Sequence, residues 1–100
     1  EDHFTSSSSL IAISKSGRSV SSEDVQNFLH AEERGIQVHL FVRKNKDDKI
    51  SKEFYYLGRV IATGNAKQFV MPNTDKTAVE IEWELETPVR EDIYQYIVNE

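Results

Sequence analysis

Ile36-Gln-Val-His-Leu-Phe-Val-Arg43-Lys44, followed by Glu53-Phe-Tyr-Tyr-Leu-Gly58-Arg59-Val60, is the part of this 100-residue chain that decides its fold. Each half alternates side chains with the period of two that a strand requires, and the residues between them, Asn45 to Lys52, are polar and lysine-rich. The pattern predicts a β-hairpin over 36–44 and 53–62. On the first strand Ile36, Val38, Leu40 and Val42 share one face; Gln37, His39, Phe41 and Arg43 share the other. On the second, Phe54, Tyr56, Gly58 and Val60 oppose Tyr55, Leu57, Arg59 and Ile61. Large apolar groups on both faces predict a central strand, or one curved into a barrel. Gly58 marks either a bulge or a close backbone approach.

Outward from the hairpin, the N-terminal side opens on a polar lead-in at residues 5–9, followed by Leu10-Ile-Ala-Ile13 as a short buried strand. Ser14 to Ser19 form a loop around Gly17. Ser21 or Ser22 is placed to cap a helix whose first turn holds Glu23 and Asp24, where the helix dipole favours acids. Val25, Phe28 and Leu29 give that helix one apolar face, and Gly35 is placed to end it. On the C-terminal side Thr63-Gly64-Asn65 reads as a turn, Lys67 to Met71 as a short strand, and Pro72 to Asp75 as a second turn. Val79 to Glu86 is the cleanest strand. Val79, Ile81, Trp83 and Leu85 face the core, and Glu80, Glu82, Glu84 and Glu86 form a row on a solvated face. Pro88 breaks it, and residues 90–98 form a helix with Val89, Ile93 and Ile97 turned inward. The expectation is one domain over residues 1–100, of α+β class, with a small, mostly antiparallel, barrel-like sheet and one or two short helices.

Composition narrows the function classes. Apolar residues make up 38% and charged residues 29%, as in folded soluble domains rather than disordered ones. No cysteine occurs, which excludes disulfides and thiolate metal sites and fits a reducing cytoplasm. No apolar run approaches the ~20 residues of a membrane span. Glu1-Asp2-His3-Phe4 lacks the features of a signal peptide and reads as a cut inside a longer protein. The net charge of −5 is unevenly spread: residues 41–76 hold eight Lys/Arg against four Asp/Glu, a local +4 between acidic ends.

Catalytic patterns are missing. His3, His30 and His39 have no metal-ligand spacing, and there is no phosphate loop, nucleophile elbow or cysteine nucleophile. Neither enzymatic activity within this chain nor a cofactor or metal is expected. The basic centre is the other candidate. Arg43, Lys44, Lys46, Lys49 and Lys52 crowd one hairpin tip, with Arg59 nearby and Lys15 and Arg18 on an earlier loop. Such side chains either follow a phosphate backbone or simply keep a loop soluble. Phe41, Tyr55, Tyr56 and Trp83 are either stacking faces for bases or core. His39 is either a packed edge residue or a contact.

Several of these strings also resemble one family. Asp2-His3-Phe4 with Ser6 to Ser9, Leu10 to Ser16, Leu40-Phe-Val-Arg43, Phe54-Tyr-Tyr-Leu-Gly58, and Glu82-Trp-Glu-Leu85 with Thr87-Pro88 follow in order the pattern of a module at the C-terminal end of bacterial DEAD/DEAH-type helicases, long catalogued as a domain of unknown function. The match is loosest at Leu10 and Ala12, where many members carry aromatics. Carriers include SauUSI-type type IV restriction enzymes, in which a nuclease and a helicase-like ATPase precede the module. The resemblance implies a target-recognition role in antiphage defence. The module would bind double-stranded DNA carrying 5-methyl- or 5-hydroxymethylcytosine, with an SRA/PUA-like barrel and base flipping, beside the helicase and nuclease domains of its parent chain. Ser14 and Ser16 would then donate to a base edge or phosphate. Tyr55, taken as the more exposed of the tyrosine pair because Tyr56 shares parity with Phe54 and Val60, would wall the base. Two alternatives stay open: a protein-interaction module of a helicase without DNA contact, and a reader of phosphorothioate DNA.

Overall fold

The computed structural model of the chain describes residues 2–43 and 53–99. Strands β1 (His3–Ser6), β2 (Ser9–Ile13), β3 (Val38–Arg43), β4 (Phe54–Val70) and β5 (Thr77–Leu85) form one antiparallel sheet in the order β1-β2-β5-β4-β3. Helix α1 (Glu23–Leu29) lies between β2 and β3, and α2 (Glu91–Val98) closes the chain. The sheet curls into a half-barrel, so the domain is α+β with a barrel-like sheet and two short helices, as the alternation predicts.

The two faces of the sheet differ in role. Leu10, Val60, Ile81, Trp83 and Leu85 line the inner face as the buried core, joined by Val25 from α1 and by Val89 ahead of α2. Phe28 of α1 meets Trp83 edge-on at 5.7 Å between centroids. At the other side Tyr94 of α2 meets Phe4 edge-on at 5.8 Å, and Tyr96 meets Tyr55 at 6.1 Å. Helix α2 therefore ties the β1 edge to β4 across the open side of the curl. The outer face carries Ile11, Ile61 and the glutamates of β5, fixed there by the register pairs Ile11↔Glu82 and Ile61↔Glu84.

Several boundaries depart from the pattern-based expectation. The serine-rich lead-in is not merely polar chain: Ser7 and Ser8 form the tight turn of a β1–β2 hairpin, held by the Ser6 hydroxyl, which accepts from the Ser8 amide at 3.1 Å and lies 2.8 Å from Ser9 Oγ. Serine satisfies the turn through its side chain, so the hairpin needs no glycine. Helix α1 ends at Leu29, six residues before Gly35; a run of turns follows, closed by the Ile36 amide donating to Ala31 O at 2.8 Å, and Gly35 at φ +68° terminates those turns. Ser22 occupies the N-cap position, but its hydroxyl accepts from the Ser19 amide at 2.9 Å and makes no cap bond.

The largest correction concerns β4. Thr63-Gly64-Asn65 is not a turn but an irregularity within one 17-residue strand: pairing moves from Ala62↔Trp83 to Ala66↔Ile81, so three residues oppose Glu82 alone. The Glu82 carboxylate accepts from Thr63 Oγ1 at 2.9 Å and from Asn65 Nδ2 at 3.1 Å, and Gly64 takes φ +99°. These bonds hold the excursion in the sheet and bend the strand.

Candidate nucleic-acid interface

A second bulge builds the most unusual surface of the domain. Across β3 and β4 the register runs His39↔Arg59, Leu40↔Gly58 and then Phe41↔Tyr56, so Leu57 is an extra residue beside Gly58, whose φ is +92°. One inserted residue reverses the parity of everything before it. Val60 stays on the inner face, yet Tyr56 and Phe54 turn outward and Tyr55 turns inward. The expectation that Tyr56 is core and Tyr55 exposed is therefore reversed. Tyr55 is half-buried opposite Val42 and packs on Tyr96 of α2, while Tyr56 is 55% exposed. Burial, followed by the neighbouring Tyr96 and Glu53, pushes the Tyr55 hydroxyl above its ordinary pKa.

Outward parity collects His39, Phe41 and Arg43 of β3 with Phe54 and Tyr56 of β4. Phe41 and Phe54 are each 60% exposed. The Phe41 and Tyr56 rings form an offset pair, 5.0 Å between centroids and tilted by 39°. The Arg43 guanidinium sits over the Phe54 ring at 5.3 Å. His39 Nδ1 and Tyr56 Oη share a hydrogen bond of 2.7 Å, and His39 Nε2 is 3.3 Å from Gln37 Oε1. A carbonyl oxygen only accepts, so Nε2 carries the hydrogen, and in the neutral ring Nδ1 accepts from the tyrosine hydroxyl.

The other residues singled out in the sequence fall elsewhere. Lys44, Lys46 and Lys49 lie outside the described residues, as does Lys52. Ser14, Lys15, Ser16 and Arg18 lie at the far end of the sheet. The Gly17 amide donates to Thr77 O at 2.8 Å, and Thr77 pairs with Val70, at the opposite end of β4 from Phe54. That loop and the Arg43–Phe54 pair lie at opposite ends of the sheet. Ser14 is structural: its hydroxyl accepts from the Val79 amide at 2.9 Å and donates to Lys15 O at 3.0 Å. Arg18 bonds Asp24 at 2.8 Å, and that hydrogen bond is the main cause holding the Asp24 carboxyl below its usual pKa. Lys15 and Ser16 are exposed. Arg59 is turned to the fold: its guanidinium bonds Glu32 in the turns after α1 and reaches Glu86 at 3.5 Å.

Arg59 also governs the electrostatics of the aromatic face. Register places the glutamate row on the same outer face as Phe41 and Tyr56, not behind it. Glu86, on the Arg59 side of that row, is paired with Arg59. Glu84 opposes Ile61, five residues along β4 from Tyr56 and roughly 15 Å away at strand rise, beyond the Debye length of about 8 Å at physiological salt. An anion at the aromatic face is thus largely screened from Glu84, while Glu86 and Glu32 share the one charge of Arg59.

On the inner face, between β2 and β3, an apolar cleft of 190 Å3 is lined by Leu10, Ala12, Leu40, Phe28 and Trp83, with Ser14 a polar member and His39 at its border with its ring turned outward. Both polar side chains are engaged as described above. The cleft therefore offers apolar wall without an unengaged side-chain group to read a base edge. Among the described residues no cluster of three or more His, Asp or Glu could hold a metal ion, and no helix is long and apolar enough to cross a membrane.

Sequence reasoning weighed Phe41 and Tyr56 as stacking faces but missed Phe54 and set Tyr56 in the core. Gly58 was the available signal: reading it as a bulge obliges the parity before it to flip. No curated protein matches the chain. A family model does, over residues 1–97, so with its basic-aromatic hairpin and closing Glu82-Trp-Glu-Leu85 strand the chain belongs to the family described as Domain of unknown function (DUF3427).

Proposed function

We propose that the chain is a non-enzymatic DNA-recognition module that reads cytosine carrying a 5-methyl or 5-hydroxymethyl group. It would serve a modification-dependent restriction system whose helicase-like motor and nuclease lie elsewhere in the parent chain. The observation that supports this reading is the outer face of β3 and β4, where Phe41, Phe54 and Tyr56 stand more than half exposed beside Arg43. A soluble domain rarely exposes three adjoining aromatics that its core does not need. The chain continues from Arg43 into a segment with Lys44, Lys46, Lys49 and Lys52, which suits a polyanion. A methyl group adds little polar information to a base, so a reader gains most by taking the base out of its stack and enclosing it against aromatic walls. With Tyr55 packed under α2, that contact passes to Phe41 and Tyr56.

The test is a titration of the chain against matched duplexes, unmodified and C5-modified, at two salt concentrations. Tighter binding of the modified duplex at both is the expected result. Equal affinities would remove the reader role and leave sequence-independent DNA binding. A phosphorothioate duplex in the same series separates the sulfur-reading alternative.

A second reading, a protein-interaction module with no DNA contact, draws on the same exposed aromatics and on β3 being a sheet edge. Changing Lys44, Lys46 and Lys49 together to Glu discriminates the two. Under the first reading DNA binding collapses in a folded protein; unchanged affinity favours the second.

A further inference from the structure

We infer that the exposed Phe41–Tyr56 ring pair stacks with bases of an unpaired DNA strand, and that His39 is the positioning residue that fixes the Tyr56 ring in that pair. The inference rests on the DNA-binding reading above and adds which form of DNA this face takes.

In a duplex the π-faces of the bases are covered by their neighbours, and only base edges and phosphates reach a protein. An aromatic ring lying on a sheet surface has little to offer such an edge. It can offer a face to a base that is already unstacked, which is how sheet platforms engage single strands. Phe41 and Tyr56 are directly opposed across β3 and β4, with 5.0 Å between centroids and a 39° tilt. At that spacing the rings overlap as a tilted, offset pair, and each keeps the face turned away from the other for a base. Their exposures of 60% and 55% agree with that.

The platform is preorganised. Tyr56 is tethered at its hydroxyl by His39 Nδ1, and His39 is oriented in turn through Nε2 and Gln37 Oε1. A tyrosine fixed by its polar tip loses little further freedom when a base lands on its face. At the hairpin end of the platform the Arg43 guanidinium, over Phe54, puts a cation beside the path a phosphate backbone would take. Arg59 offsets part of the charge of Glu32 and Glu86 on the flank toward β5. The inner cleft, whose polar side chains are engaged, does not compete for a base edge.

The experiment measures binding of the chain to a mixed-sequence single-stranded DNA, to the same sequence as a blunt duplex, and to the same sequence as RNA. It uses wild type, Phe41→Ala, Tyr56→Ala, Tyr56→Phe and His39→Ala, each first shown to melt as a folded protein. The expected result is tighter binding of the single strand than of the duplex. Phe41→Ala and Tyr56→Ala should each weaken it about 5- to 150-fold, the range for one lost base stack. Tyr56→Phe keeps the ring but loses the tether to His39, so it should weaken binding about as much as His39→Ala and less than Tyr56→Ala. His39→Ala should lower single-strand affinity at neutral pH while leaving the melting curve nearly unchanged, and Tyr56→Phe should abolish the effect of His39→Ala when the two are combined.

Duplex preference, with Phe41→Ala and Tyr56→Ala as effective as wild type, would overturn the platform and leave the DNA-binding reading standing. Tighter binding of the RNA would overturn DNA as the occupant. Failure to bind any of the three nucleic acids would overturn both readings together.

Discussion

Replacing Gly58 by alanine tests the bulge on which the aromatic face depends. Gly58 has φ +92°, and a methyl group built on it meets no atom within 4 Å. Steric clash therefore contributes nothing, and two backbone effects of opposite sign remain. Holding an L-residue in left-handed backbone costs about 1–2 kcal/mol. Restricting the unfolded chain by a Gly→Ala change favours folding by about 0.4–1 kcal/mol. The strain wins, with a net destabilisation of about 1 kcal/mol. In a domain of this size that lowers the melting temperature by about 4–8 °C. Trp83, the single tryptophan and 6% exposed, reports the transition by fluorescence. An unchanged or raised melting temperature for Gly58→Ala would refute the positive-φ bulge. Deleting Leu57 adds a second arm. It removes the extra residue, so regular pairing would keep Phe41 opposite Tyr56 and Leu40 opposite Gly58. In that background Gly58→Ala should lose its penalty, giving a non-additive pair.

Three further outcomes follow from the same geometry. Arg59→Gln should cost about 1 kcal/mol, since Glu32 and Glu86 are solvent-exposed and are not stranded by its loss, and should leave the salt slope of nucleic-acid binding unchanged; a slope reduced by about one would return Arg59 to the phosphate contacts. Trp83→Ala should cost about 3–5 kcal/mol, a large share of a small domain's stability, as read by circular dichroism in a urea titration. The third is pH dependence. Asp24 and Asp92 have pKa values lowered from 3.8, so their stabilisation is present above about pH 4 and lost as pH falls through the folded values; Tyr55, raised from 10.0, gives stabilisation present below about pH 10 and lost as pH rises beyond it. Tyr55→Phe should flatten the alkaline limb alone, and an alkaline limb identical to wild type would place Tyr55 in solvent.

How far the sequence could be read depended on whether local pattern or a long-range partner set each element. Val79 to Leu85 was legible because strict alternation admits one assignment, and β5 duly lies at the middle of the sheet with Val79, Ile81, Trp83 and Leu85 buried. Residues 63–65 were not, because Thr-Gly-Asn is ordinary turn chemistry. What keeps it in a strand is Glu82, nearly twenty residues on, whose carboxylate supplies partners that a local reading cannot see. The Ser6–Ser9 hairpin was hidden for a related reason: hydroxyls did the work usually signalled by glycine. At the candidate site, the outward placement of His39, Phe41 and Arg43 came directly from alternation along β3. The facing strand was read with the wrong parity because the bulge was named but not propagated through Tyr56 and Phe54.

That parity change also resolves why the hairpin carries large apolar groups on both faces. Inward from β4 come Tyr55, which packs on α2, Leu57, which packs against the core, and Val60, which is buried within it; from β3 come Val38 and Leu40. Together with Trp83 and Leu85 these fill the curl. The fold is complete without Phe41, Phe54 or Tyr56. Exposing three such rings risks association between copies, the more so beside an edge strand. Folding stability gives little return for that exposure. The proposed function supplies that return as a partner that covers the rings. Under the proposed DNA-binding reading, Arg43 against Phe54 and the lysines that follow it in the chain suit a negative partner, and the exposed Phe41–Tyr56 pair suits a flat aromatic one. An unstacked nucleobase on its phosphate backbone meets both conditions. A protein segment meets both only if it is acidic and aromatic, and the single-strand titration of Phe41→Ala and Tyr56→Ala separates the two.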